Sequence, residues 1–397
     1  MVPQDQFPRV LVPVGPGRDG TPVRDDLPAI SLFSGVGGLD LGAARAGFDI
    51  RAAVEFDRDS AASLRANHFA ERPDAVFERS IVGLATDEIL ERAGLRVGEA
   101  SLLVGGPPCT PFSKSGNWLE YKRTGNDPDA SLLDEFARVA VEARPRAVLM
   151  ENVWALAYRN HNTAPLSRLV DRLARAGYDV RWEVLNAADY GIPQLRKRLI
   201  LYALLGQDAP ALPRPTHSGW TETKRTFDQS LIPYVTSGDA IGDLAARDDL
   251  AERDEVVNGR YGKLLPGIPA GDNYLFYTDR RGHPEPLFRW RSRFWTFLLK
   301  LDPDRPATTI QSQPGPYVGP FHWENRRLRL LETKRLQTFP DDYIVVAASR
   351  RSWQHQLGNA VPPRLAEIVA KPLAEALSGA TDYPMPSEQL ELELASA

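Results

Sequence analysis

From residue 29 onward, short apolar runs alternate with stretches in which apolar residues recur about every three or four positions. Short apolar runs are typical of buried strands, and the periodic stretches are typical of amphipathic helices. Their regular alternation predicts βαβ units and an α/β fold with a mostly parallel sheet. The predicted strands are Ala29 to Phe33, Ile50 to Val54, Ser101 to Val104, Ala147 to Met150, Val180 to Leu185 and Leu199 to Leu204. The predicted helices are Leu39 to Ala46, Asp59 to Asn67, Leu132 to Ala143, Leu166 to Ala176 and Pro363 to Leu377.

This pattern also predicts how the chain is organised. Residues 1–28 are rich in Pro, Gly and charge, which favours a flexible N-terminal extension. Residues 29–205 together with 352–378 carry the alternating pattern and form the predicted α/β domain. In residues 206–351 the periodicity gives way to Pro, Thr, Arg and aromatic residues, which indicates a second, smaller and irregular domain. Residues 379–397 are interpreted as a polar tail.

Composition narrows the class of protein. A chain of 397 residues, 43% hydrophobic and 25% charged, is ordinary for globular domains. A single cysteine excludes an internal disulfide and disfavours a zinc site, so we expect no metal. The sequence has neither a signal peptide pattern nor an apolar stretch of membrane-spanning length, and we expect a cytoplasmic protein. The net charge of −4 means that nucleic acid binding would need a local basic surface.

The only cysteine, Cys109, stands in a turn directly after the predicted strand Ser101 to Val104. A lone cysteine can simply be a small buried hydrophobe. Here Pro107, Pro108 and Pro111 restrict the backbone on both sides of the thiol. This restriction favours a sulfur held in one position at a strand end. We therefore interpret Cys109 as a nucleophile, which reacts as the thiolate and needs an activating environment.

A glycine-rich turn, Phe33-Ser34-Gly35-Val36-Gly37-Gly38, joins the first predicted strand to the first predicted helix. Such a turn lets the backbone approach a ligand at a helix N-terminus, although it can also be a plain tight turn. Glu55 ends the second strand about 20 residues later, the offset at which an acid binds the ribose hydroxyls of a nucleotide. The glycine spacing differs from the dinucleotide Gly-x-Gly-x-x-Gly. We therefore expect an adenosine cofactor without a pyrophosphate.

Between Ala29 and about Leu377 the chain resembles the cytosine-5 DNA methyltransferase family of bacterial restriction-modification systems. Several separate motifs match, and they follow the order of the family. They are FSGVGG from Phe33, VGGPPCTPFS around Cys109, Glu151-Asn152-Val153, Tyr190 to Arg198, Leu336 to Asp341, and Gly358 to Pro362. The resemblance implies a Rossmann-like domain that binds S-adenosylmethionine and a smaller target-recognition domain.

The resemblance also implies which residues hold the cofactor. It assigns Glu55 to the ribose, and it aligns Ser80 with the position where family members usually have an aspartate that binds the adenine amine. Asn359 belongs to the motif that completes the methionine pocket, but it could equally be an N-terminal cap for the helix that begins at Pro363. The implied cofactor residues are Phe33, Gly35, Gly37, Gly38, Glu55, Phe56, Ser80, Pro108, Asn359, Ala360 and Val361.

The chemistry explains the implied catalytic residues. Carbon 5 of cytosine is a poor nucleophile until a thiolate, here Cys109, adds to carbon 6. The charge that then develops toward N3 and O2 needs a donor, for which a protonated Glu151 is the candidate. By resemblance, Arg198 holds O2 and Arg196 orders the site near Cys109. A surface glutamate and a solvated basic edge are the alternatives for these positions.

Double-stranded DNA is the implied substrate, and the target base must rotate out of the helix. We interpret residues 113–129 as a mobile lid or an ordinary surface loop, and residues 280–335 as a basic, aromatic recognition segment. A charge-rich surface is the alternative for that segment. The expected DNA contacts are Ser113, Lys114, Gln194, Arg291, Arg293, Arg326 and Arg327.

Two other functions remain. A transfer RNA cytosine methyltransferase would carry an additional Cys-Phe-Thr signature, which a chain with Cys109 alone cannot have. An inactive DNA-binding relative is disfavoured because Cys109, Glu151, Arg196 and Arg198 are all present. The family commonly works beside a separately acting restriction endonuclease, and we expect a monomer.

Overall fold

The computed structural model describes residues 27–108, 130–158, 164–219, 230–289 and 294–379. Five of the expected site residues lie outside these ranges, as does the expected lid. They are Cys109, Ser113, Lys114, Arg291 and Arg293.

The first half of the chain alternates strands and helices. Its elements are β1 (Leu27–Leu32), α1 (Gly38–Arg45), β2 (Phe48–Glu55), α2 (Arg58–His68), β3 (Val76–Glu78), α3 (Thr86–Ala93), β4 (Leu102–Gly105), α4 (Ala130–Ala143), β5 (Ala147–Val153), α5 (Ala155–Tyr158), α6 (Ala164–Arg175), β6 (Tyr178–Asn186), β7 (Gln194–Leu195) and β8 (Lys197–Leu205). Every strand and helix predicted for this half has its counterpart here. The sequence pattern missed α3 and the short elements β3, α5 and β7, and these three are too short to show a period.

The remainder is less regular until the chain end. Its elements are β9 (His217–Ser218), β10 (Ile232–Pro233), α7 (Ser237–Ile241), β11 (Ala307–Thr308), α8 (Leu330–Leu336), α9 (Arg350–Asn359) and α10 (Pro363–Ser378). Short 3-10 helices lie at Pro73–Ala75, Ala187–Tyr190, Gly242–Leu244, Asp248–Leu250, Gly262–Gly267, Tyr274–Tyr277 and Asp279–Arg281. No helix within the described ranges has the length and apolar character needed to cross a membrane.

Seven strands form the central sheet in the order β3-β2-β1-β4-β5-β8-β6. Neighbouring strands are parallel from β3 through β5, whereas β8 runs antiparallel to both β5 and β6. The connection from β6 to β8 contains only a 3-10 turn and β7. It is too short for a crossover helix, so β8 has to return antiparallel. The predicted mostly parallel α/β architecture is confirmed.

Both faces of the sheet are covered by helices. Alternate residues of β1 enter different cores, with Ala29 on one face and Ile30 on the other. Helices α1, α2 and α10 cover the first face, and α3, α4 and α6 cover the second. Burial on both faces explains why the strands appear in the sequence as continuous apolar runs. The carboxyl ends of β1, β2, β4 and β5 therefore form one edge, where ligands bind in such sheets.

The irregular region contacts the α/β region at several places, of which two lie near the glycine turn and the start of β8. Strand β11 pairs with β7, directly before β8. Further along, the Tyr343 hydroxyl donates to the Val36 carbonyl at 2.5 Å, and Asn67 bonds the backbone of Ile344. The segment before α9 thus covers the glycine turn and α2, although the composition of the sequence groups it with the second domain.

Candidate active site

The glycine turn connects the carboxyl end of β1 to the N-terminus of α1. Phe33, Gly35 and Gly37 all have positive φ, of 55°, 56° and 88°. Gly38 is required for a different reason, because a Cβ built there would lie 2.2 Å from the Val361 carbonyl oxygen. The turn is therefore pressed against Val361 on one side. At Gly35 a Cβ would meet nothing within 4 Å, so that side of the turn is open.

Glu55 lies at the end of β2, next to this turn. One carboxylate oxygen accepts the Gly35 N–H at 2.7 Å, and the other accepts the Asp57 N–H at 2.7 Å. Burial raises the pKa of Glu55, and these two backbone N–H groups act in the opposite direction. Phe56 follows with 77% of its surface exposed. A fixed carboxylate beside an exposed ring suits the ribose and base of a nucleoside.

Two further expected cofactor residues lie in turns at the same edge. Ser80 follows β3, is half-buried, and its hydroxyl accepts the Val82 N–H at 3.1 Å. Its hydroxyl keeps a second acceptor site, although it carries no charge where the family usually has an aspartate. Pro108 is exposed at the end of the described part of the β4 turn.

Asn359 does not cap the helix that begins at Pro363. It is the last residue of α9, is exposed, and its side-chain amide lies 3.1 Å from the imidazole of His355. Pro362 occupies the capping position of α10 without a side-chain hydrogen bond. The capping alternative is therefore wrong, because the chain bends between two helices at Ala360. Ala360 and Val361 are buried against the glycine turn.

Glu151 and Arg198 form a shielded ion pair. The Arg198 Nε and a Glu151 carboxylate oxygen are 2.6 Å apart, with side-chain exposures of only 13% and 10%. Arg198 lies opposite Val153 in the antiparallel pairing, so the two charged side chains meet diagonally on one face of the sheet. Because β5 extends to Val153, Glu151 lies within the strand and not after its end.

The turn that leads to Cys109 packs directly on this pair. A Cβ on Gly106 would lie 3.3 Å from a Glu151 carboxylate oxygen. The Asn152 amide donates to the Pro107 carbonyl at 3.0 Å. Glu151 and Asn152 therefore contact the two residues that open the proline turn, while Cys109 itself lies outside the described residues.

Arg196 is fully buried and connects distant parts of the chain. Its guanidinium donates to the carbonyls of Gly358 at 3.0 Å, Ala360 at 2.9 Å and Ile310 at 3.4 Å. Burial lowers the pKa of Arg196, and the nearby charge of Arg198 adds to this effect. Arg196 thus orders the backbone beside the cofactor turn, and it presents no surface to a substrate.

Gln194 is fully buried and does not take the expected role of a DNA contact. Its side-chain Nε2 donates to the Gln337 side chain at 3.0 Å, and its side-chain Oε1 accepts the Ile310 N–H at 3.3 Å. The pairing of β7 with β11 closes over it. Gln194 therefore joins the two regions from inside and is not available to DNA in this arrangement.

Arg326 also turns inward, which corrects its expected DNA contact. It is 7% exposed and binds the fully buried Glu332 through two hydrogen bonds of 2.6 and 2.9 Å. Arg329 likewise pairs with Glu255, at 2.7 Å. Glu332 lies nearby in the sequence, whereas Glu255 comes from a segment far from Arg329 in the chain. The basic character of this segment therefore stabilises the irregular region from within.

Of the other basic residues in the segment 280–335, some are buried in the irregular region and others lie at the surface. Lys300 is buried and donates to the Ile268 carbonyl and the Asn325 side chain, both at 2.7 Å. Arg327 is half-buried and donates to the Asp254 carbonyl at 3.0 Å. Arg289 is exposed directly before a part of the chain that is not described. Two aromatic residues nearby are also exposed, Phe294 and Trp295.

Three structurally important residues were not identified from the sequence as members of the site. For Asn152 and Gln337, the only indication in the sequence was their position inside the matched motifs. The sequence contains no indication for Tyr343, because its partner Val36 lies near the other end of the chain.

The fold is Rossmann-like, and at one edge of its sheet a glycine-rich turn lies near a shielded carboxylate–arginine pair. The chain belongs to the C-5 cytosine-specific DNA methylase family, whose model matches residues 27–375. It is therefore a DNA methyltransferase that acts on carbon 5 of cytosine.

Individual relatives agree with this membership. The type II methyltransferase M.SacI of Streptomyces achromogenes is 44% identical over 395 residues, which cover 93% of this chain and 99% of that protein. The type II methyltransferase M1.HphI of Haemophilus parahaemolyticus is 33% identical over 349 residues, or 86% of this chain and 85% of that protein.

Solved structures share the fold. One, described as a prophage-encoded DNA modification methyltransferase of E. coli, aligns with a TM-score of 0.62 and 22% identity, over 89% of this chain and 99% of its own. A DNMT2 from Spodoptera frugiperda aligns with a TM-score of 0.56 and 16% identity, over 87% of this chain and 99% of its own. At such identities the similarity concerns the fold alone.

Proposed function

We propose that this enzyme transfers a methyl group from S-adenosylmethionine to carbon 5 of a flipped-out cytosine in a specific double-stranded DNA sequence. It would do so as the modification enzyme of a type II restriction-modification system, acting in the cytoplasm as a monomer beside a separate endonuclease. The observation that carries the proposal is the shielded Glu151–Arg198 pair, 2.6 Å apart. This pair packs against Gly106, three residues before the only cysteine.

The described residues fit S-adenosylmethionine. Glu55, held by two backbone N–H groups, would accept the ribose hydroxyls, and exposed Phe56 would stack on the adenine. Ser80 would bind the adenine amine through its hydroxyl. The open side of the turn at Gly35 leaves room for the ligand. When bound, this cofactor supplies an activated methyl group.

The remaining expected cofactor residues would surround the methionine portion. Gly37 and Gly38 form the turn against which Val361 packs. Phe33, Pro108, Asn359 and Ala360 belong to the same edge of the sheet in this proposal. No separate pyrophosphate contact is needed, which agrees with the glycine spacing.

The chemistry of the base would fall to three side chains. The Cys109 thiolate forms a bond to carbon 6, and electron density moves from the ring double bond toward carbon 5 and N3. Glu151 shares a proton with N3, and Arg198 donates to O2, so that the developing charge is met inside a shielded site. Carbon 5 would then take the methyl group as the sulfur–methyl bond breaks and S-adenosylhomocysteine leaves, and a base would remove the hydrogen from carbon 5. The bond between sulfur and carbon 6 then breaks, which restores the double bond and the thiolate.

Positioning would come from neighbouring groups. Asn152 holds the Pro107 carbonyl and therefore the start of the nucleophile turn. Arg196 holds Gly358 and Ala360, which keeps the methionine end of the cofactor site at a constant distance from β8. Neither residue has to touch the base.

DNA contacts would come from the second domain, residues 206–351, and from the segment after Cys109. We keep Ser113, Lys114, Arg291, Arg293 and Arg327 as proposed contacts to the backbone or bases. Gln194 and Arg326 are left out, because both are buried and fully engaged within the protein. A flipped base costs a few kcal/mol of stacking, which these contacts offset.

The proposal is tested by bisulfite sequencing of DNA from a host that lacks its own cytosine-5 methylation. The host expresses either the natural protein or its Cys109→Ala variant. We expect the cytosines of one short DNA motif to resist bisulfite conversion with the natural protein and to be converted with the variant, because no other thiol is present. The variant should still bind cofactor, which serves as its folding control.

Two results would contradict the proposal. If Cys109→Ala also protected the motif fully from bisulfite conversion, a covalent step through Cys109 would be excluded. If the natural protein were folded and bound cofactor but left the DNA unprotected, an RNA substrate or an inactive DNA-binding relative would be favoured.

A further inference from the structure

Arg327 differs from the arginines that surround it in the irregular region. Arg326 and Arg329 each form an ion pair with a buried or half-buried carboxylate. Among the described residues Arg327 forms no such pair. Its guanidinium instead donates to two backbone carbonyls, those of Asp254 at 3.0 Å and Val256 at 2.5 Å. These two bonds hold the side chain in place but do not balance its charge.

The surroundings of Arg327 confirm that its charge is poorly balanced within the protein. The side chain is half-buried, and burial lowers its pKa. The neighbouring guanidinium of Arg350 lowers this pKa further, while the carboxylate of Asp254 acts in the opposite direction. That carboxylate is bound by Arg350, at 2.8 Å. Because a cation removed from water is costly without a counter-charge, this environment favours an anion beside Arg327.

A cavity of about 80 Å³ lies beside Arg327. It is lined on one side by residues of the loop 310–321 and on the other by residues that include Gln354 of α9. One water molecule needs roughly 10–15 Å³ of such volume, so the cavity has room for a group of several atoms. Two of its lining residues, Gly315 and Pro316, are exposed, which indicates that the cavity opens to solvent.

The polar groups of this cavity suit an oxyanion. Gln311 and Gln354 line it and are half-buried, and neither side-chain amide has a hydrogen-bond partner within the described part of the chain. Each amide offers two N–H donors, and the Arg327 guanidinium keeps donors beyond those bound to carbonyls. No described residue that lines the cavity is acidic. A guanidinium with additional N–H donors and no competing carboxylate matches the oxygens of a phosphate group.

The cavity lies beside the edge of the sheet that carries the proposed catalytic residues. Its lining residue Ile310 accepts a hydrogen bond from Arg196 through its backbone carbonyl, at 3.4 Å. Arg196 directly precedes β8, in which Arg198 pairs with Glu151 near the carboxyl end of β5. A duplex that delivers a base to this pair therefore passes close to the opening of the cavity.

We propose that this cavity binds one phosphate group of the DNA backbone, with Arg327, Gln311 and Gln354 as donors. The inference rests on the proposed action on double-stranded DNA and adds a defined phosphate site to it. The phosphate supplies the counter-charge that Arg327 lacks. Because phosphate contacts carry no sequence information, the site fixes the position of the protein on the duplex and does not select the sequence.

The test measures how DNA affinity depends on salt. The natural protein and Arg327→Gln are titrated with two fluorescent duplexes over a series of sodium chloride concentrations. One duplex carries the motif identified by bisulfite sequencing, and the other has the same bases in scrambled order. Each phosphate contact steepens the plot of log affinity against log salt by about 0.9. We expect Arg327→Gln to lose about 0.9 of this slope on both duplexes, which is about eight-fold weaker binding at about 0.1 M salt.

Arg175→Gln is the matched control, because it removes the same charge elsewhere. Arg175 is exposed in the last turn of α6, just before β6 begins at the opposite edge of the sheet. It should leave both the slope and the affinity unchanged. Gln354→Glu is a second variant, since it places a carboxylate in the cavity and leaves Arg327 intact. It should reduce the slope by a similar amount, so a misfolded Arg327→Gln does not remove the test. Circular dichroism checks that each variant is folded.

The outcomes separate the inference from the proposed function. If the natural protein binds neither duplex, the proposed action on DNA fails. If it binds DNA and a folded Arg327→Gln binds more weakly with an unchanged slope, Arg327 only supports the backbone and the phosphate site is overturned. Weaker binding to the motif duplex alone would mean that Arg327 reads a base, which overturns the inference equally. Unchanged affinity and slope in both cavity variants would do the same.

Discussion

Arg198 lies in β8 and Arg196 lies two residues earlier, between β7 and β8, yet the two residues serve different purposes. Arg198 keeps 13% of its side chain exposed and pairs with Glu151, whereas Arg196 is fully enclosed by backbone carbonyls. A guanidinium that is partly accessible beside a carboxylate can be shared with an incoming base. Arg196 has no exposed surface and donates to the carbonyls of Ile310, Gly358 and Ala360, so it holds the backbone in place.

Replacing Arg198 should therefore affect turnover and spare cofactor binding. We expect Arg198→Ala to lower kcat about a hundred-fold or more, because one donor to the developing charge is lost. Cofactor affinity, measured by calorimetry, should change by less than about three-fold. The control is Arg181→Ala, since Arg181 is largely exposed on neighbouring β6. Equal losses in kcat and in cofactor affinity would contradict the assignment of Arg198 to the base.

At the scale of elements, the short pairing of β7 with β11 determines how the irregular region meets the sheet. Thr309 donates to the Leu195 carbonyl at 2.7 Å, and Gln194 bonds both Ile310 and Gln337. Arg196 extends this contact to the bend between α9 and α10. Strands β7 and β8, the irregular region and the bend that packs on the glycine turn thus meet at one buried junction.

Replacing Arg196 should consequently disturb several elements together. We expect Arg196→Met to lower the free energy of unfolding by roughly 2–4 kcal/mol, because buried carbonyls lose their donor. It should also weaken cofactor binding, since Ala360 adjoins Val361 over Gly38. Lys197→Met is the control, because Lys197 is the exposed next residue along the chain. Denaturant titration and calorimetry provide the two readouts, and a variant as stable as the natural protein would rule out this structural role.

For the whole molecule, buried histidines make stability depend on pH. Burial lowers the pKa of His322 from 6.5 to about 3 and that of His68 to about 4. Both are neutral in the folded protein near pH 5, while the unfolded chain would protonate them. A histidine with a lowered folded pKa contributes stability above its unfolded pKa of about 6.5, and this contribution is lost as pH falls toward the folded value.

We therefore expect the free energy of unfolding to fall between about pH 6.5 and pH 4, in part through His322. His322→Gln should reduce the slope near pH 5 by roughly 1 kcal/mol per pH unit, because one proton is no longer taken up on unfolding. Glutamine retains an acceptor for the Glu324 N–H, which His322 Nδ1 accepts at 3.0 Å. His283→Gln, on the largely exposed segment after Tyr277, is the control. An unchanged slope would show that His322 does not titrate as described.

The sequence by itself determined the α/β fold, the glycine turn and the positions of Glu55 and Glu151. These features are local, because buried strands, helix periods and turn glycines leave their pattern within a few residues. The family motifs are local in the same sense. They predict which residues form the site and in what order along the chain, although not what each side chain contacts.

Only the tertiary structure decided which charged and polar residues face outward. Arg326 and Gln194 looked like DNA contacts, but Glu332 and Gln337 engage them inside the protein. Burial and pairing depend on contacts between segments far apart in the chain, and a linear pattern does not contain that information.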